Sequence, residues 1–327
     1  MMRCPPFDYR APDSIEEVVA ILDGEGPRAR VIAGGTDLVP NMKRRHQNPA
    51  VLVALRKVRE LRAFRNGHGV ELGAALTLSD IADDDRLDPW RALRCAASSV
   101  ATPHIRNAGT LGGNLCLDTR CNYYNQNFEW RKSIDFCMKE QGEVCWVAPG
   151  SPRCWAVSST DTAPALIALD ARVQLVSKAD TREIPLAALY KDDGIDYLHR
   201  KPNELLARVV LGDAAGWSST YWKCRRRGAI DFPVLSVAVA VKRDGSGTVT
   251  DARIVFGAVA SHPVVSDAAR LLVGDKLTAD AIDACAIKAS KLAKPLDNTD
   301  YTIGWRKKVA RAYVKGALEE LADQTRS

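Results

Sequence analysis

The chain has 327 residues, 46% hydrophobic and 26% charged, with a net charge of +6; this is globular composition, and the length favours more than one domain. Its basic runs, Lys43-Arg44-Arg45, Arg225-Arg226-Arg227 and Arg306-Lys307-Lys308, are too short to follow a phosphate backbone, so a nucleic-acid partner is not expected. No apolar stretch reaches the roughly 18 residues of a bilayer span and no apolar signal core opens the chain, so the reading is cytoplasmic without a membrane partner, and the 9 cysteines are expected as thiols, metal ligands or redox groups, not disulfides.

In chain order, Asp13 and Ser14 each precede a glutamate by three residues, and Ile15, Val18, Val19 and Leu22 recur at helical spacing, which predicts a capped first helix. RVIAGGTDLVP reads as a strand entering a Gly-Gly-Thr turn, and PAVLVAL as a second strand. VELGAAL, TLSDIADD and a helix over about 90–102 follow, then the glycine-rich NAGTLGGN. A cysteine-rich stretch interrupts this region before DTAPALIALDARVQLVS resumes as helix then strand. GDAAGWSS marks a boundary near 212–219, and SVAVAVKRDGSGTVTDARIVFGAV predicts two strands about a Gly-Ser-Gly turn. DAIDACAIKASKLA and WRKKVARAYVKGALEELAD are amphipathic helices whose apolar faces should cover that sheet.

AGGTD (33–37) and GTLGGN (109–114) both set paired glycines beside a hydroxyl and a further polar side chain. Such turns either serve only as turns or bring backbone N–H groups close to an anion. Neither fits the dinucleotide or P-loop fingerprint. Taken with FDYRAPDSIEEVVAIL, DTAPALIALDA, ELLARVVL and YWKCRRRGAIDFPVLSVAV in that order, they resemble the flavin-binding subunits of the molybdenum hydroxylases, the family of xanthine dehydrogenase and carbon monoxide dehydrogenase. The resemblance implies an α+β, PCMH-like FAD-binding fold with two α/β subdomains, 1–56 and 57–215, and a C-terminal domain, 216–327, of a three-stranded sheet packed with helices. It also implies FAD ligands: Ile32, Ala33, Gly34, Gly35, Thr36, Asp37 and Leu38 in the first loop, Thr110, Gly113 and Asn114 in the second. Asp161 would reach the sugar or ribityl part, and Leu206 and Lys223 would border the isoalloxazine. Read without the family, Asp161 is a helix N-cap, Leu206 core and Lys223 a surface charge.

Relative to that family, about forty extra residues separate GGN from Asp161, an insertion over about 117–158 that holds Cys121, Cys137, Cys145 and Cys154 and seven aromatics. A long insertion of this kind usually carries function. Four thiolates suit a tetrahedral zinc or a [4Fe–4S] cluster; gaps of fifteen, seven and eight residues lack the paired knuckles of zinc sites and favour the larger object. The aromatics would shield a cluster or form a miniature core. Cys116 is set aside as a packed strand thiol, and the five histidines show no ligand spacing, with His104 the least settled because it leads into the second loop.

Within the family, the insertion resembles that of the 4-hydroxybenzoyl-CoA reductase branch. That resemblance implies an electron-transfer subunit with FAD and [4Fe–4S] but no catalytic side chain of its own. Its partners would be a molybdopterin-binding subunit and a [2Fe–2S] subunit in a dimer of heterotrimers, with reduced ferredoxin as donor for dehydroxylating 4-hydroxybenzoyl-CoA to benzoyl-CoA. Two alternatives stand beside it: the flavin subunit of an oxidative hydroxylase with structural zinc in the insertion, and a non-catalytic interaction protein with a zinc-stabilised loop.

Overall fold

The structure, a computed structural model, describes residues 3–323. Near the N-terminus, β1 (Asp8–Arg10), β2 (Ala29–Ile32) and β3 (Val51–Ala54) form a parallel sheet in the order β1-β3-β2. Helix α1 (Ile15–Glu25) makes the first crossover and buries Val18, Val19 and Leu22. Ser14 caps it by accepting from the Glu17 N–H at 3.2 Å, while the Glu17 carboxylate reaches past Ser14 to the Asp13 N–H at 3.0 Å. Both predicted cap residues are therefore engaged, though not as a reciprocal box. Helix α2 (Leu38–Lys43) follows β2 across the Gly-Gly-Thr turn.

The middle sheet is antiparallel, with β4 (Phe64–Asn66), β5 (Val70–Gly73), β6 (Arg172–Val176), β7 (Thr181–Pro185) and β8 (Leu205–Leu211) in the order β4-β5-β8-β6-β7. Between β5 and β6 the chain runs through α3 (Leu78–Asp83), α4 (Arg91–Ser98), α5 (Pro103–Arg106), α6 (Leu111–Leu115), α7 (Phe128–Ser133) and α8 (Thr162–Ala168). The helix expected over 90–102 ends at Ser98, and Ala101 has φ 42°. A left-handed residue there turns the chain out of the helix and toward the second glycine loop.

The third sheet, β9 (Trp217–Cys224), β10 (Leu235–Arg243), β11 (Val249–Gly257) and β12 (Val264–Ser266), is antiparallel in the order β12-β11-β10-β9. It has four strands where three were expected, because β12 is only three residues long and leaves no alternation to read. Its apolar Val/Ala alternation is a packing code. Ala238 and Ala240 face the core shared with the middle sheet and α8, whereas Val237, Val239 and Val241 face the core made with α9 (Ala279–Ser290) and α10 (Ile303–Asp323). A strand covered on both faces reads as an unbroken apolar run, and its small side lets α8 approach.

Candidate functional site

The two glycine turns meet. An added Cβ at Gly34 would lie 1.8 Å from the Ala108 carbonyl oxygen and 2.4 Å from its carbon, so the first loop rests directly on the backbone entering the second. Gly35 has φ 69°, a conformation that favours glycine. Thr110 caps α6 by accepting from the Gly113 N–H at 3.2 Å, and Gly112 packs against Ala74 with no room for a side chain. The N–H groups of Gly109, Leu111, Gly112, Gly113 and Asn114 all donate within the protein. Five N–H groups of the second turn are therefore engaged in holding the turn and seating it on residues 74–76, the structural one of the two roles its glycines allow.

A cavity of about 650 Å³ opens between these loops, the 195–206 segment and Ile230–Phe232. Ile32, Ala33, Gly34, Gly35, Thr36, Asp37, Leu38, Thr110, Gly113, Asn114, Asp161 and Leu206 all line it. Lys223 stands behind the wall, 3.0 Å from the Asp161 carboxylate. The Asp161 side chain does not cap α8; it accepts from Tyr221 Oη at 2.7 Å and from Lys223 Nζ, which also donates to the Ser99 carbonyl. Asp161 and Lys223 are both buried, and burial pushes the Asp161 carboxyl up and the Lys223 ammonium down, each against the attraction of the other. Asn114 Oδ1 accepts from Thr160 Oγ1, Thr162 N and Thr162 Oγ1, which ties the second loop to the turn presenting Asp161. Cys116 follows the C-terminus of α6 instead of lying on a strand, and it lines the same cavity. His104 is exposed on α5, away from the cavity lining.

The insertion is closed at its base by an antiparallel bridge, Arg120 N–H to Val157 O at 2.8 Å and the reverse at 2.7 Å. Cys121, Cys137, Cys145 and Cys154 are all buried within it, at 7%, 7%, 4% and 5% exposure. The Cys154 sulfur accepts from the Ala156 N–H at 3.4 Å, and backbone N–H groups beside Cys121, Cys137 and Cys145, Lys139 among them, favour those thiolates. A hydrogen bond from the Cys154 thiol lowers the Cys145 pKa, while burial pushes Cys121 up to about 11. Among the described residues no three His, Cys, Asp or Glu side chains converge to hold a single ion.

The seven aromatics of the insertion differ in burial. Tyr124 is buried, stacked on His46 with ring centroids 4.3 Å apart, whereas Phe128, Trp130 and Trp146 are exposed. Buried Arg131 pairs with Glu140 and donates to the Arg44 carbonyl at 3.0 Å, and Asn298 Nδ2 holds the Trp155 carbonyl at 2.7 Å. These contacts clamp the loop between the first sheet's helix α2 and the C-terminal region. Sequence reasoning missed Arg120, which pairs with Asp37 of the first glycine loop, and Lys139, which bonds Asp118. The first of these pairs joins residues more than eighty positions apart, for which local sequence carries no signal.

The chain matches the model of the FAD binding domain in molybdopterin dehydrogenase over residues 5–212 and that of the CO dehydrogenase flavoprotein C-terminal domain over residues 219–321. It belongs to the FAD-binding subunits of the molybdopterin dehydrogenases. The aldehyde oxidoreductase FAD-binding subunit of Escherichia coli (strain K12) is 31% identical over 72% of this chain and 76% of its own length. The nicotinate dehydrogenase FAD-subunit of Eubacterium barkeri is 28% identical over 85% of this chain and 83% of its own. A structure of carbon monoxide dehydrogenase from Hydrogenophaga pseudoflava aligns with a TM-score of 0.78 at 27% identity, covering 97% of this chain and 98% of that one. The mixed α and β architecture is thus that of the family, as the sequence implied. Among the described residues no helix is long and apolar enough to cross a membrane.

Proposed function

We propose that this family member holds FAD in the 650 Å³ cavity and a [4Fe–4S] cluster on Cys121, Cys137, Cys145 and Cys154, as the electron-transfer subunit of 4-hydroxybenzoyl-CoA reductase. The observation that carries the reading is the set of four buried sulfurs in one insertion, with backbone N–H groups turned toward them. Such N–H groups favour thiolate over thiol and help set a cluster's potential. When bound, FAD and cluster supply one-electron transfer.

The chain's own residues bind, orient and shield. In this reading the first loop, Ile32 to Leu38, meets the pyrophosphate, because five N–H groups of the second loop already donate to protein oxygens, those of Leu111 and Gly112 to Leu76 and Ala74. Asn114 would offer its side-chain N–H₂, since Oδ1 is taken up by Thr160 and Thr162. Asp161 lines the cavity and accepts from Tyr221 and Lys223, so Lys223 would act on the flavin through Asp161 and Leu206 would pack its apolar side against it. Partners in the proposed complex are a molybdopterin-binding subunit, a [2Fe–2S] subunit and reduced ferredoxin, in a dimer of heterotrimers.

The names of the relatives, dehydrogenases of nicotinate and carbon monoxide among them, favour a second reading in which the complex is oxidative and the insertion holds structural zinc. Metal analysis separates the two. About four iron and four acid-labile sulfide per chain support the cluster, and stoichiometric zinc with a pure flavin spectrum refutes it. Cys137→Ala should then lose iron and keep FAD, since both glycine loops lie outside the bridge at Arg120 and Val157. Benzoyl-CoA formed with reduced ferredoxin as donor tests the substrate.

A further inference from the structure

Lys139 belongs to two sites at once. Its backbone N–H faces the Cys137 sulfur, and its side chain, buried to 6% exposure, lines the cavity assigned to the flavin. The ammonium lies 2.7 Å from Asp118 Oδ1 and 2.7 Å from the Gly194 carbonyl, and also meets the Thr119 hydroxyl. Asp118 in turn accepts from Gln47 Nε2 at 3.1 Å, and both Asp118 and Gln47 line the cavity. On the other side, Gly194 donates to the Cys154 carbonyl at 2.9 Å. A Cβ at Gly194 would fall 2.7 Å from the Cys154 sulfur. One buried cation is thus bonded, through a single glycine, to the segment carrying one cluster cysteine, and through its own backbone to another.

Resting on the cofactor assignment proposed above, we infer that Lys139 is a positioning residue shared by both sites: its positive charge eases reduction of the metal centre and of the flavin together, and Asp118 moderates that effect. Charge in a buried setting is poorly screened, so a cation stabilises the more negative, reduced form of any centre nearby. Because the same ammonium lines the cavity and acts electrostatically on Cys137 and Cys154, the two equilibria move in parallel, and the driving force between them changes less than either alone.

The test uses the assembled complex carrying Lys139→Met, Lys139→Arg or Asp118→Asn, with iron, sulfide and FAD contents measured first. Potentiometric titration then follows the metal centre by EPR and the flavin by absorbance. Lys139→Met should make reduction of each centre about tenfold less favourable, 59 mV for a one-electron couple. Lys139→Arg should restore wild-type behaviour, and Asp118→Asn should shift both centres in the opposite direction. A purely structural role predicts no such reversal of sign. Unchanged potentials at either centre in Lys139→Met, with full cofactor content, overturn the inference, as do shifts of the same sign in Lys139→Met and Asp118→Asn. Should Lys139→Met fail to assemble, Asp118→Asn decides by the same criterion. Zinc in place of iron in the wild-type complex refutes the cluster assignment, and the shared role with it, before any variant is made.

Discussion

Gly34→Ala isolates the contact between the two glycine loops. The added methyl would sit 1.8 Å from the Ala108 oxygen, against an ordinary carbon–oxygen approach of about 3.3 Å, so the loops must part by about 1.5 Å. The obstacle is backbone, with no side chain free to rotate away, and overpacking of this kind costs about 1–3 kcal/mol. If that cost falls on the geometry that closes round FAD, affinity drops by about tenfold to a hundredfold. Gly24→Ala, in α1 and outside the cavity lining, is the control: its methyl meets nothing within 4 Å. Titrating apo-protein with FAD and following flavin fluorescence measures both. Wild-type affinity and unchanged thermal stability in Gly34→Ala would show that the loops do not depend on this contact.

Removing one partner of the buried pair Asp161–Lys223 should cost about 3–5 kcal/mol by leaving a charge uncompensated. The double variant Asp161→Ala/Lys223→Met should cost clearly less than the sum of the singles, and denaturant titration of all three reads the coupling; additivity would contradict the pairing. His46, packed on Tyr124, has its pKa lowered from the usual 6.5 to about 4, first by burial and then by Arg131. Its folded pKa lies below the unfolded one, so the stability it contributes is present above pH 6.5 and is lost as pH falls toward 4. With the ring partly open to solvent the loss is at most about 1–2 kcal/mol. His46→Phe should flatten the Tm profile between pH 7 and 4.5, and an unchanged slope would exclude His46 as its source.

The sequence by itself determined the local elements and the two glycine turns. The Ser14 cap, the crossover helix, the Gly-Gly-Thr turn, NAGTLGGN and the amphipathic helices each follow from propensity and periodicity that need no distant partner. The order of these motifs also sufficed to indicate the family, and the spacing of four cysteines marked the insertion. Tertiary structure decided what those residues do to one another. Asp161, which without the family reads as a helix cap, turns instead toward Tyr221 and Lys223 sixty residues on. Gly34 owes its lack of a side chain to Ala108, seventy-four positions away, and the second-loop amides of Leu111 and Gly112 are committed to the carbonyls of Leu76 and Ala74. Strand β12 escaped notice because three residues carry no period. Lys139 and Arg120 gave no sign at all, since a buried charge is selected by the partner that folding brings beside it, and that partner is written elsewhere in the chain.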